Sequence, residues 1–121
     1  MPRKDIGGVE EFPEGTGSRV EVSGIPLAVF NLEGELYAVH DNCRHKNLPL
    51  HPAGERGYRG DRLREDLPRP TKGGIDREKR SIRCPWHNLE WDLETGYNAV
   101  LDERIPVFPV EVEDRRVYVE I

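Results

Sequence analysis

Cysteine is scarce in this chain, with Cys43 and Cys84 the only two among 121 residues. That excludes the dense disulfide framework on which many small secreted domains depend. No apolar run approaches the roughly 20 residues of a membrane-spanning helix, so no membrane association is expected. The opening stretch MPRKDIGGVEEFPEG lacks the apolar core of a secretion signal and reads as the start of a cytoplasmic protein. Positive charge is not in excess either, and a net charge of −5 argues against general nucleic-acid binding. A dinucleotide fingerprint is missing, because Gly7-Gly8 and Gly73-Gly74 do not have its spacing. Aromatic residues make up only 7%, yet with 36% hydrophobic residues the chain still fits a globular domain with a modest core.

What is present is alternation. The run SRVEVSG (18–24) sets Val20 and Val22 between charged neighbours, the period of a half-buried strand. IPLAVFNLEGELYAVHD (25–41) predicts two strands joined at Glu33-Gly34. FPVEVEDRRVYVEI (108–121) predicts a closing hairpin that turns at Asp114-Arg115 and sets Val110 and Val112 against Val117, Val119 and Ile121. A short strand is expected at Ser81–Arg83, and another in LEWDL, stopped by Thr95-Gly96. No stretch carries a sustained helical period with caps at both ends. The expectation is an all-β fold of antiparallel sheets, a single domain over 1–121 without internal repeats.

One segment departs from this pattern. Residues 55–80 hold nine Lys or Arg and six Asp or Glu, so they carry +3 against −8 for the remainder. Pro68, Pro70, Gly73 and Gly74 oppose regular structure, and the segment reads as a long surface insertion. A positive loop on an acidic body is suited to docking an acidic protein partner.

Each cysteine stands just ahead of a histidine, as Cys43-x-His45 and Cys84-x-x-His87, with 38 residues between the pairs (46 to 83). A reducing compartment disfavours a disulfide, which leaves metal ligation as the natural account. Two thiolates and two imidazoles suit zinc, and they also suit a [2Fe–2S] centre in which histidines replace two cysteines on one iron. Zinc fingers usually keep like ligands together, whereas each half of this pattern supplies one of each. A two-iron cluster can use that arrangement, with one iron taking Cys43 and Cys84 and the other taking His45 and His87.

The sequence CRH…CPWH resembles the signature of Rieske [2Fe–2S] domains. Leu50 and Pro85 fall where that family has its loop leucine and proline, and WDLETG (91–96) is similar to its aromatic-Asp-x-x-Thr-Gly turn. The likeness extends over the opening strands and the closing hairpin and omits only 55–80, so the ligand-bearing part is expected at about 41–93. Asn47, Asn88 and Leu89 stand where the family often has glycine; asparagine is the next residue best suited to a left-handed turn. Rieske proteins of membrane cytochrome complexes carry an extra cysteine in each loop, and here Leu48 and Trp86 occupy those positions. Their cluster-bonding Ser and Tyr correspond to Leu89 and Trp91, which offer no hydroxyl. A potential toward the low end of the Rieske range, roughly −150 mV, is therefore expected. The ligand histidines are expected to titrate with redox state and to present the electron exit.

The resemblance implies a soluble Rieske-type ferredoxin, a one-electron carrier between a reductase and a terminal oxygenase, with no activity or small-molecule substrate of its own. A self-sufficient oxygenase would need a mononuclear iron held by two histidines and a carboxylate, and only His40 and His51 are left over. Those two are expected in ordinary polar or surface positions, with auxiliary ligation or proton transfer as the rival. Trp86 and Trp91 are expected to serve as cluster cover and core. Two alternatives stay open: the small subunit of a multi-component reductase such as nitrite reductase, and a zinc-stabilised binding module.

Overall fold

Strand β3 (Ile25–Leu32) organises the molecule, because its alternate side chains enter two different cores. Ala28, Phe30 and Leu32 face one cluster together with Val39, Leu50, Ile82, Cys84, Trp91 and Leu93. Leu27 and Val29 face the other, with Phe12, Val22, Ala38, Val117 and Val119. A strand covered on both faces needs an almost unbroken apolar run, which IPLAVFNL supplies. The computed structural model describes residues 3–42, 49–53, 74–84 and 89–121, together with the backbone of 58–59.

Before β3 come β1 (Arg3–Gly8) and β2 (Gly17–Val22); after it come β4 (Glu35–His40) and the short β5 (Tyr58–Arg59). The second half holds β6 (Gly74–Asp76), β7 (Ser81–Arg83), β8 (Glu90–Asp92), β9 (Tyr97–Asn98), β10 (Glu103–Arg104) and β11 (Val107–Phe108). The chain closes with β12 (Val110–Glu113) and β13 (Arg116–Glu120). A five-stranded sheet has the order β11-β4-β3-β2-β5, and two three-stranded sheets run β1-β13-β12 and β6-β7-β8. Among the described residues the only helical turns are single 3-10 turns at Val9–Glu11 and His51–Ala53. No helix among them is long and apolar enough to cross a membrane.

The expected hairpins form. Leu32 pairs with Glu35, leaving Glu33 (φ 57°) and Gly34 (φ 92°) as a two-residue turn with both φ positive, which matches the right-handed twist of the strands. In the closing hairpin Val110 faces Val119 and Val112 faces Val117, around Asp114 (φ 51°) and Arg115 (φ 65°). Both pairings are as expected, while Val112 is itself 53% exposed and its partner Val117 is fully buried.

The insertion is also less irregular than its composition predicts. Gly74–Asp76 pairs antiparallel with β7, and Ile75 packs against the first core. Tyr58–Arg59 runs parallel to Gly17–Ser18, which makes it a parallel addition to an otherwise antiparallel sheet. Arg77 grips Glu14 through two bonds, Nε to Oε2 at 3.0 Å and Nη2 to Oε1 at 3.1 Å, and so ties the returning end of the segment to the body. The docking expectation for 55–80 falls mainly on 60–73, outside the described residues.

Candidate metal centre

The loop expected to carry the second pair of ligands hangs on the hairpin of β7 and β8. Arg83 pairs with Glu90, and the Cys84 N–H donates to the Leu89 carbonyl at 2.8 Å, which closes the stem around residues 85–88. Cys84 is 1% exposed and belongs to the same cluster as Ile82, Trp91 and Leu93. The far side of β8 is fastened by Asn98, whose Nδ2 donates to the Glu90 carbonyl at 2.9 Å. Trp91 is fully buried, in agreement with a core role. Trp86 and His87 lie outside the described residues.

The first loop leaves the end of β4 and returns at Pro49. Cys43 and His45 fall between those points, outside the described residues. Its two stems are joined by one carboxylate. Asp41 Oδ1 accepts the N–H of Leu50 at 2.6 Å and that of His51 at 2.8 Å. Asp41 Oδ2 accepts from Arg19 Nη1 at 2.9 Å and lies 2.7 Å from His51 Nδ1, which donates to the ionised carboxylate. The Asp41 N–H is itself held by the Pro26 carbonyl at 2.9 Å. Burial pushes the Asp41 carboxyl up, but the His51 side chain and the two backbone N–H groups outweigh it and hold the group below the usual carboxylate range.

These stems meet. Leu50 and Ala53, just past the first loop, pack in the cluster that contains Cys84 and Trp91, so the stems of both loops are rooted in one core. Of the four ligands expected from the sequence, the structure places Cys84 and the stems of both loops. The donor chemistry fits a two-iron cluster with sulfur and imidazole ligands. A thiolate buried among apolar side chains needs a cation beside it. The one carboxylate on the first stem already receives four protein donors, which fills its acceptor capacity and leaves no oxygen ligand there.

Sequence reasoning missed three residues of this end. His51 is 1% exposed and bonded to Asp41, a polar role as expected but in a buried place rather than at the surface. Asp41 had a signal, an acid two residues ahead of the first ligand. Arg19 had none, since it reaches Asp41 across 22 residues of sequence. His40 is half-buried on β4, where its N–H donates to the Pro106 carbonyl at 2.9 Å.

Comparison with known proteins agrees with this geometry. The family model of the Rieske [2Fe-2S] domain matches residues 3–109. The 3-phenylpropionate/cinnamic acid dioxygenase ferredoxin subunit of Escherichia coli (strain K12) is 29% identical over 115 residues, covering 93% of this chain and 88% of that one. The ferredoxin of carbazole 1,9a-dioxygenase from Nocardioides aromaticivorans IC177 superposes with a TM-score of 0.74 at 17% identity, covering 98% of this chain and 97% of that chain. A chain from the complex of reduced oxygenase and oxidized ferredoxin in carbazole 1,9a-dioxygenase does so with 0.70 at 26% identity, covering 97% and 91%. The paired loop stems, the buried sulfur and a family match that spans both of them lead to one conclusion: the chain belongs to the Rieske [2Fe-2S] domain family, and its cofactor is a Rieske-type [2Fe–2S] cluster.

Proposed function

We propose that this protein is a one-electron carrier that receives an electron from a reductase and delivers it to a terminal oxygenase. Cys43 and Cys84 hold one iron of its cluster, and His45 and His87 hold the other, within a single domain whose ligand-bearing part spans about 41–93. The observation that carries the reading is the meeting of the two loop stems in one buried cluster that includes Cys84. Family membership replaces the zinc alternative, and the Escherichia coli relative, covered over 88% of its length, is a ferredoxin subunit. A putative nitrite reductase small subunit that matches over 100% of both chains does so at 14% identity and shares the fold alone.

When bound, the cluster supplies the reversible one-electron couple. The rest falls to the chain. Cys84 and its apolar neighbours exclude water from the sulfur side, which leaves the histidine side as the route for electrons in and out. Burial also keeps the Cys84 sulfur from solvent oxidation, in keeping with a cytoplasmic, reducing setting. The acidic body and the basic segment 55–80 offer charge patches of opposite sign for steering partners.

Anaerobic purification followed by iron and acid-labile sulfide analysis and an EPR spectrum of the dithionite-reduced protein tests the assignment. The expected result is two irons and two sulfides per chain with a Rieske-type spectrum, lost in Cys84→Ser and altered in His87→Cys. A colourless protein containing zinc and no sulfide would refute it.

A further inference from the structure

Asp41 is 3% exposed, and its carboxylate receives four donors, from Leu50 N, His51 N, His51 Nδ1 and Arg19 Nη1. Two of these donors are backbone groups on the returning stem of the first loop, while Asp41 itself sits on the outgoing stem. One side chain thus pins both ends of the segment 42–49. Arg19, on β2, supplies the countercharge that makes a buried carboxylate tolerable. His51 adds a side-chain bond to its backbone bond, so rotation of the returning stem about the carboxylate is blocked.

We propose that Asp41, together with Arg19 and His51, is a positioning clamp that sets the placement of Cys43 and His45 on the cluster. The proposal rests on the ligand reading above. Asp41 is a positioning residue and touches no iron. A loop free to open at its stem would let its two ligands move independently of Cys84 and His87, which changes the cluster's ligand field and exposes it to chelators. Asparagine at this position keeps one acceptor oxygen but replaces the other with an amide, which cannot accept from Arg19 or from the His51 N–H.

The test uses the full, cluster-loaded chain. The first readout is the half-life of the visible cluster absorption in EDTA, and the second is the set of g-values after dithionite reduction. Asn31→Ala is the matched control. It removes a side-chain staple of similar kind, with Asn31 donating to the Phe12 carbonyl at 2.6 Å and accepting from Gly34 N at 2.9 Å, in the stem of neither loop. Asp41→Asn is expected to shorten the half-life by about tenfold or more, in line with loss of charge-assisted bonds, and to shift the g-values. Asn31→Ala is expected to lower the urea midpoint and to leave the g-values in place. His51→Ala should reproduce part of the Asp41→Asn effect, and His51→Asn, which restores an N–H donor, should recover it.

A loaded wild type whose Asp41→Asn variant matches Asn31→Ala in both readouts overturns the clamp alone. A wild type without acid-labile sulfide overturns the ligand reading instead. If Asp41→Asn does not fold, the His51→Ala and His51→Asn pair decides: wild-type g-values and half-life in both overturn the clamp, and loss with rescue supports it.

Discussion

Replacing Gly17 by alanine adds one methyl group to β2 at a point where the fold has no room for it. A Cβ built there stands 2.1 Å from the His51 carbonyl oxygen, 2.8 Å from Phe30 Cε1 and 3.0 Å from the His51 carbonyl carbon. Ordinary contact begins near 3.4 Å, so the His51 backbone and β2 must separate by about 1.3 Å. Phe30 is fully buried in the first core and cannot swing aside. His51 is the residue whose N–H reaches Asp41 at 2.8 Å, and a shift of that size takes the bond beyond hydrogen-bond range. Overpacking costs about 1–3 kcal/mol, and loss of a hydrogen bond to a charged group costs about 1.5–3 kcal/mol. The expected total is about 2.5–6 kcal/mol.

Urea denaturation followed by circular dichroism gives the comparison, with Gly34→Ala as the reference variant. Gly34 has φ +92° and no atom within 4 Å of a built Cβ, so alanine there meets only backbone strain of about 1–2 kcal/mol. Gly17→Ala should unfold at clearly lower urea than Gly34→Ala with an unchanged m-value. Equal midpoints would refute the claim that β2 is held against the returning stem of the first loop.

Leu50→Ala should cost about 2–5 kcal/mol and hasten cluster loss, because Leu50 is fully buried where the two loop stems meet; thermal unfolding and the decay of visible absorption check it. Tyr37 is pushed up to about 12 from 10.0, first by burial and then by its bond to Glu35 at 2.7 Å. The folded state therefore keeps this proton after the unfolded chain has lost it, so the contribution is complete below pH 10 and fades as pH rises toward 12. Absorbance titration at alkaline pH should show a late-ionising tyrosine that disappears in Tyr37→Phe. The midpoint potential should lie toward roughly −150 mV, since Leu89 and Trp91 offer the cluster no hydroxyl; voltammetry above about +100 mV would contradict the donor argument.

Much of this protein was legible along the chain because the deciding physics is local. Two cysteines and two histidines, interleaved as C-x-H and C-x-x-H, offer their donor chemistry wherever the loops go, and the apolar pattern places strands within 18–24, 25–41 and 108–121. Weak or short signals were lost. β1, β9, β10 and β11 were not foreseen, since a two-residue strand has no period and RKDIGG mixes charge with glycine. Gly74–Asp76 was misjudged from its glycine, because tertiary pairing with β7 overrides local propensity.

The donor types on offer and the all-β character follow from residue type and short-range spacing along the chain. That Leu50 and Cys84 share one core, that β3 serves two cores at once, and that Arg19 and His51 meet Asp41 at the stem of the first loop follows from the packing of the sheets. Those facts join residues 10 to 34 positions apart, where contact is set by how sheets stack and cannot be read from the period of any single strand.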